Sequence, residues 1–432
     1  MNESKTSYES LDEALDAILP ELSTWTAPQS AIGILSALKG KVHTSPLDAA
    51  NWAIHRHRDA ITELIVKDDR FLGHEVRMIR KLNGASGFYP KQVAEPLIRR
   101  TLEYGSGARA IQWLQEVLAI DVAKGTYVSV LWNVPVDGEV QLTKDITLIP
   151  FESLPENAHK ASLQYPCTES LISSALDWEP PSSALVVRYE VKPVVINPEQ
   201  ELQSDYTRIH DKIADIILAL TLVGPRPPVL AAAWHLYDDP NLNDATTGSR
   251  YGRMMELLPA LRDQPYPLLD PQAAAEVVEQ FLRLGPKCKP KVAVAIDRLQ
   301  RALMRHEVGD RAVELSIALE VLLSDKGNSE MTHKVSVRGV HFLGGSSEER
   351  TQNFGILKKA YEIRSKLVHQ GLQESGDISI GKGWPKMQAA ALVDEACRLC
   401  SNLIKQVLAC GEIPDWAAFD ILDTEPANKQ HT

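Results

Sequence analysis

Asp310-Arg311-Ala312-Val313-Glu314-Leu315-Ser316-Ile317-Ala318-Leu319-Glu320-Val321-Leu322-Leu323 is apolar nearly all round at helical spacing. A helix of that kind belongs inside a domain. Upstream of it, Val292, Ile296, Leu299 and Leu303 mark a stripe at helical period, which predicts a helix with one buried face. Downstream, helical patterns cover about 332–343, 354–369 and 386–409. They are separated by the loop Gly344-Gly345-Ser346-Ser347 and by 371–385, and Gly411 and Pro414 end the last one. The expectation is a five-helix domain over residues 291–412 with a tail over 413–432. Its linker falls at Gly285-Pro286-Lys287-Cys288-Lys289-Pro290, whose prolines and glycine disfavour helix.

A chain of 432 residues exceeds what one core usually serves, so two or three domains are expected. Residues 1–123 read as a helical N-terminal region. Leu11, Leu15, Ile18 and Leu19 recur at helical spacing, and Ser45-Pro46-Leu47-Asp48 opens a helix carrying Trp52, Ile61 and Ile65. From about 124 the period shortens to two. Tyr127, Val128, Val130 and Leu131, then 140–142 after the turn Asp137-Gly138, then 146–149 and the alternation over 184–195 read as strands. A helix over about 203–222, the run Pro225-Arg226-Pro227-Pro228 and a polar loop over 238–253 complete a mixed α/β region, 124–285. The expected fold class is therefore α+β, mainly helical: a C-terminal helical bundle preceded by a helical N-terminal unit and a mixed α/β region.

Composition narrows the function classes. With 44% hydrophobic and 24% charged residues most of the chain should fold. The start, MNESKTSYESLDE, lacks a basic and then apolar signal, and the most apolar stretch, Ile213 to Val223, is too short for a membrane span. A cytoplasmic protein with no membrane partner is expected. Five cysteines without framework spacing agree with a reducing compartment. Cys397 and Cys400 form a CxxC inside a helical pattern, with no second pair and no nearby His, so neither a metal nor a cofactor is expected there. A net charge of -11 opposes sequence-blind nucleic-acid attachment, so any such site must be local.

One helix face carries a cation among apolar residues. Leu357, Tyr361, Arg364 and Val368 lie at offsets 0, 4, 7 and 11 and share a face. A guanidinium there needs a carboxylate or a bound anion. Glu320, which interrupts the apolar run quoted above, is the expected protein partner. His369 lies five positions beyond Arg364, about 140° round a continuous helix. The two could converge if the helix ended at His369, which Gly371 encourages, or if a second copy of the domain faced the first across a two-fold axis. On the plainer alternative, Arg364 only pairs with Glu320 and His369 only ends a helix.

Tyr361-Glu362-Ile363-Arg364-Ser365-Lys366-Leu367-Val368-His369 resembles the R-x4-6-H signature of HEPN domains, particularly the ApeA-like branch. The run 310–323 and the stretch from Lys334 to Arg338 are similar to that branch as well. The resemblance covers about 130 residues and leaves the first 280 aside. Where many catalytic members carry Asn, Asp or His after the arginine, this chain has Ser365; where many carry Gly after the histidine, it has Gln370. The resemblance implies a HEPN-like bundle that cleaves RNA without metal at a homodimer interface, as an effector of antiviral (phage) defence or of toxin type answering a phage-derived or cellular trigger. The alternative is a catalytically inactive HEPN module serving RNA binding or assembly in a larger complex. The implied residues are Arg364 and His369 for catalysis, Ser365 and Lys366 for RNA contact, and Glu320 as a structural partner. The residue types suit the chemistry. A 2'-hydroxyl attacking its neighbouring phosphate needs a proton acceptor near neutral pH, which histidine supplies, and arginine grips phosphate bidentately.

Weaker patterns compete elsewhere. Asp177 with Glu190-x-Lys192 has the order of a metal-dependent nuclease, although strand alternation explains the latter pair as one solvated face. Gly105-Ser106-Gly107 reads as a turn, and His55-Arg56-His57-Arg58 as an exposed helix face.

Overall fold

The computed structural model describes residues 9–23, 46–71, 77–81, 84–88, 90–164, 180–195, 205–246, 266–325 and 331–421. It is mainly helical with small antiparallel sheet elements, an α+β fold. The chain forms two compact units, and neither is a continuous run. One comprises residues 1–127, 188–210 and 234–249; the other comprises 128–187, 211–233 and 250–432.

In the first unit the helices Leu11–Asp16, Ile18–Ser23, Pro46–Lys67, Pro90–Tyr104 and Gly107–Leu118 bury Leu11, Leu15, Ile18, Ile61 and Ile65 against Leu97, Ile98, Trp113 and Leu114. Ala123, Tyr237 and Leu242 join the same core, so segments distant in sequence complete it. The helical reading of 1–123 missed a hairpin, Arg77–Lys81 paired antiparallel with Gly84–Phe88. Asn83-Gly84 is a strong hairpin signal, and Gly84 and Gly87 weaken any helix there. His57 also departs from expectation: it is buried, while His55 and Arg56 face solvent.

A five-stranded sheet comprises β1 (Ala123–Trp132), β2 (Val140–Thr143), β3 (Ile146–Pro150), β4 (Ser183–Val191) and β5 (Val229–Tyr237), in the order β2-β3-β4-β1-β5. β3 pairs antiparallel with both neighbours, placing Leu148 opposite Val140 and Leu185. β5 is absent from the sequence reading because Ala231-Ala232-Ala233 has no alternation and little intrinsic strand preference. Its burial along nearly the whole length is what makes it a strand residue run.

The second unit contains the expected five helices: α1 (Lys289–Met304), α2 (Val308–Leu323), α3 (Met331–Leu343), α4 (Ser347–Gln370) and α5 (Ala389–Cys410). Pro290 lies inside α1, contrary to the linker reading, because proline in the first turn removes an N–H that has no intrahelical partner anyway. α2 is buried on most sides, as its composition requires, by α1, α3, α4 and α5. The segment past α5 is docked: Trp416 is buried, its indole N–H donates to the Leu322 carbonyl at 2.9 Å, and Arg338 holds Asp420 and Asp325.

Candidate functional site

α4 starts seven residues earlier than the periodicity suggested, because Ser346 and Glu349 form a reciprocal cap. The Glu349 N–H donates to Ser346 Oγ at 3.2 Å and the Ser346 N–H to Glu349 Oε2 at 2.8 Å. The backbone bond holds the Glu349 carboxyl below its ordinary range. At the other end Gly371 adopts φ 66°; its N–H donates to the Leu367 carbonyl at 2.9 Å and the Leu372 N–H to the Lys366 carbonyl at 3.4 Å. Between these caps the helix emerges from the core. Leu357 and Tyr361 are buried, Arg364 and Ser365 are half-buried, and Val368 is 52% exposed.

Glu320, on α2, does not pair with Arg364. Its Oε1 accepts a hydrogen bond from the Tyr361 hydroxyl at 2.6 Å. Burial, and then the adjoining Glu320 carboxylate, push the Tyr361 phenol up to about 12. Arg364 lies over the Tyr361 ring, 5.4 Å from guanidinium carbon to centroid, within cation–π range. Its Nε is buried without a hydrogen-bond partner, and among the described residues no ion pair involves this guanidinium. The sequence reading placed the cation on the right face and chose the wrong partner. Tyr361, read there only as a member of the same face, takes the carboxylate because a phenol at offset 4 reaches it with a short neutral-to-charged bond.

His369 is exposed and α4 continues helically through Gln370, so the helix does not end in time to swing the imidazole towards Arg364. Within one chain the two groups stay about 140° apart, with about 7.5 Å of rise between them. Lys366 is also not free, since its ammonium is paired with Glu374 in the following loop. That loop folds back: the Gly309 N–H donates to Gln373 Oε1 at 3.2 Å, and a Cβ on Gly309 would lie 2.8 Å from Leu367 Cδ2. Beside His369, Val368 and Leu372 expose 52% and 57% of their surface.

The rival patterns resolve individually. Glu190 and Lys192 are both exposed, as a solvated strand face requires, and Asp177 lies outside the described residues. Among the described residues no group of three or more His, Cys, Asp and Glu side chains is gathered as a metal site. Cys397 and Cys400 are fully buried within α5, and burial pushes the Cys397 thiol up to about 12 beside Arg311. Ser106 caps the helix Gly107–Leu118, and Gly107 has no room for a side chain, since a Cβ there would approach Leu15 Cβ to 2.7 Å. Among the described residues no helix is long and apolar enough to cross a membrane. Compared with known proteins, the chain matches no family model, no curated protein and no solved structure.

Proposed function

We propose that residues 291–412 are a HEPN-type module acting as a metal-independent endoribonuclease in the cytoplasm, working as a homodimer in phage defence or as a toxin, with the preceding 280 residues sensing a trigger or restraining it. The observation that carries this reading is the uncommitted guanidinium. Arg364 sits at the edge of the core, stacked on Tyr361 with an unpaired buried Nε, while Glu320, its expected partner, accepts from Tyr361. An arginine so held is a ready site for an anionic oxygen.

In the proposed reaction His369 accepts the proton of a 2'-hydroxyl as that oxygen attacks the adjacent phosphorus. Arg364 balances the charge gathering on the phosphoryl oxygens, and the 5'-oxygen leaves to give a cyclic phosphate. Since α4 holds the two side chains on different faces, the imidazole meeting one phosphate with Arg364 must come from a second copy. The exposed Val368 and Leu372, flanking His369, give such a pair an apolar contact. Ser365, half-buried next to Arg364, would add a phosphate contact, whereas Lys366 must first leave Glu374.

A second reading, an inert RNA-binding or assembly module, is favoured by that same Lys366–Glu374 pair and by the divergence of Arg364 and His369. Incubating the protein with total RNA and EDTA separates the readings. Chelator-resistant cleavage that disappears in both Arg364→Ala and His369→Ala supports the enzyme. Cleavage abolished by EDTA yet kept in the variants assigns the activity to a metal site elsewhere.

A further inference from the structure

α1 buries Val292, Ala295, Ile296, Leu299 and Ala302 and turns its opposite face to solvent. On that outer face Lys291, Val294, Arg298 and Arg301 recur at intervals of 3, 4 and 3, so they form one stripe about 15 Å long, and Arg305 follows four residues on, just past the helix end. Lys287, in the turn leading into the helix, continues the spacing. Lys291 is exposed, and the side chains of Arg298, Arg301 and Arg305 retain 32%, 50% and 54% of their accessible surface.

Local carboxylates do not neutralise this stripe. Glu314, 9% exposed, is shared by Arg298 at 2.9 Å and Arg305 at 3.4 Å, so one negative charge serves two guanidiniums. Asp297 pairs with Arg301 at 2.9 Å. On a chain with a formal charge of -11, a regular basic row with surplus positive charge is the reverse of the average surface. It also has a direction. Beyond Arg305 the chain turns into α2 at Gly309, whose backbone is hydrogen-bonded to Gln373 and packed on Leu367, two residues before His369.

We propose that this outer face of α1 is a docking track for the phosphate backbone of single-stranded RNA, running towards the His369 end of α4. The proposal rests on the ribonuclease reading for its choice of polyanion. Along the axis the cations Lys291, Arg298, Arg301 and Arg305 stand about 10, 5 and 6 Å apart, with Val294 in the widest gap, and their long side chains reach phosphates along an extended strand. The ribonuclease reading, rather than the row itself, selects RNA over an acidic peptide or an anionic bilayer.

The test is fluorescence anisotropy of a labelled 15-nucleotide oligouridylate, with full-length His369→Ala protein so that cleavage does not consume the probe. Binding should weaken with salt at a log–log slope of about -2 to -3, as expected for three or four neutralised phosphates on a single strand. Lys291→Glu with Arg301→Glu should weaken binding about tenfold or more in 50 mM salt and flatten the slope by more than about 1. Lys144→Glu, an exposed charge reversal in the β2–β3 turn and outside the stripe, should stay within about twofold of the parent. Circular dichroism checks that the surface variants remain folded. Equal losses in the stripe and Lys144 variants, no loss in the stripe variant, or no RNA bound by the parent would overturn the track. So would stripe-dependent binding to phosphatidylserine vesicles in place of RNA. Stripe-dependent RNA binding with no cleavage by the protein bearing His369 would instead sink the enzyme and leave the track standing.

Discussion

Replacing Tyr361 by phenylalanine removes one oxygen from the centre of the site and leaves its packing in place. That oxygen donates a 2.6 Å bond to Glu320. Hydrogen bonds to charged groups contribute about 1.5–3 kcal/mol, and Glu320 is half-buried, so water takes over part of the lost role; the expected loss is about 1–2 kcal/mol. In urea unfolding followed by circular dichroism this moves the midpoint down by a few tenths of a molar, since the slope of unfolding rises with chain size. The identity of the partner is read by double-mutant cycles. Tyr361→Phe with Glu320→Gln should show a coupling of about 1 kcal/mol, whereas Arg364→Gln with Glu320→Gln should be additive within about 0.5 kcal/mol. A pH series adds an independent arm. The Tyr361 phenol lies at about 12 in the folded chain against an ordinary 10.0, so the folded state holds this proton more tightly. The associated stability is full below pH 10 and is lost as pH rises through 12, a limb missing from the phenylalanine variant. Strong Arg364–Glu320 coupling with none for Tyr361 would refute the arrangement and restore the simple ion pair.

The remaining predictions concern packing and assembly. Trp416→Ala should cost about 3–5 kcal/mol, because it empties the space against Phe342 and Phe419 and deletes the bond to the Leu322 carbonyl, read as a fall in denaturation midpoint. Gly355→Ala should destabilise by about 1–3 kcal/mol despite alanine's better helix propensity, since the new Cβ would stand 2.3 Å from the Ile380 carbonyl oxygen. Limited proteolysis between 371 and 388 should then accelerate. Val368→Asp with Leu372→Asp should lower the mass measured by light scattering from dimer to monomer while leaving the helical circular dichroism signal intact. An unchanged mass would remove these two residues from the proposed interface.

Much of the bundle can be read from the chain because its determinants are local. The run 310–323, apolar nearly all round, reads as an interior helix, and the 3.6-residue period of Leu357, Tyr361 and Arg364 put a cation on the face that leaves the core. Helix period and charge are properties of neighbouring residues. Hydrogen-bond choice is not: Glu320 and its two suitors stand 41 and 44 residues apart, and only the packing of α2 on α4 decided that the phenol, rather than the guanidinium, reaches the carboxylate. The strand 229–237 was hidden for the same reason, since its alanines take extended form through burial and pairing that no local pattern announces. Long-range contacts likewise drew residues 188–210 and 234–249 into the first unit and clasped the segment after α5 through Arg338. Periodicity and composition specify which faces must be covered; close-packing and the satisfaction of each buried polar atom select what covers them.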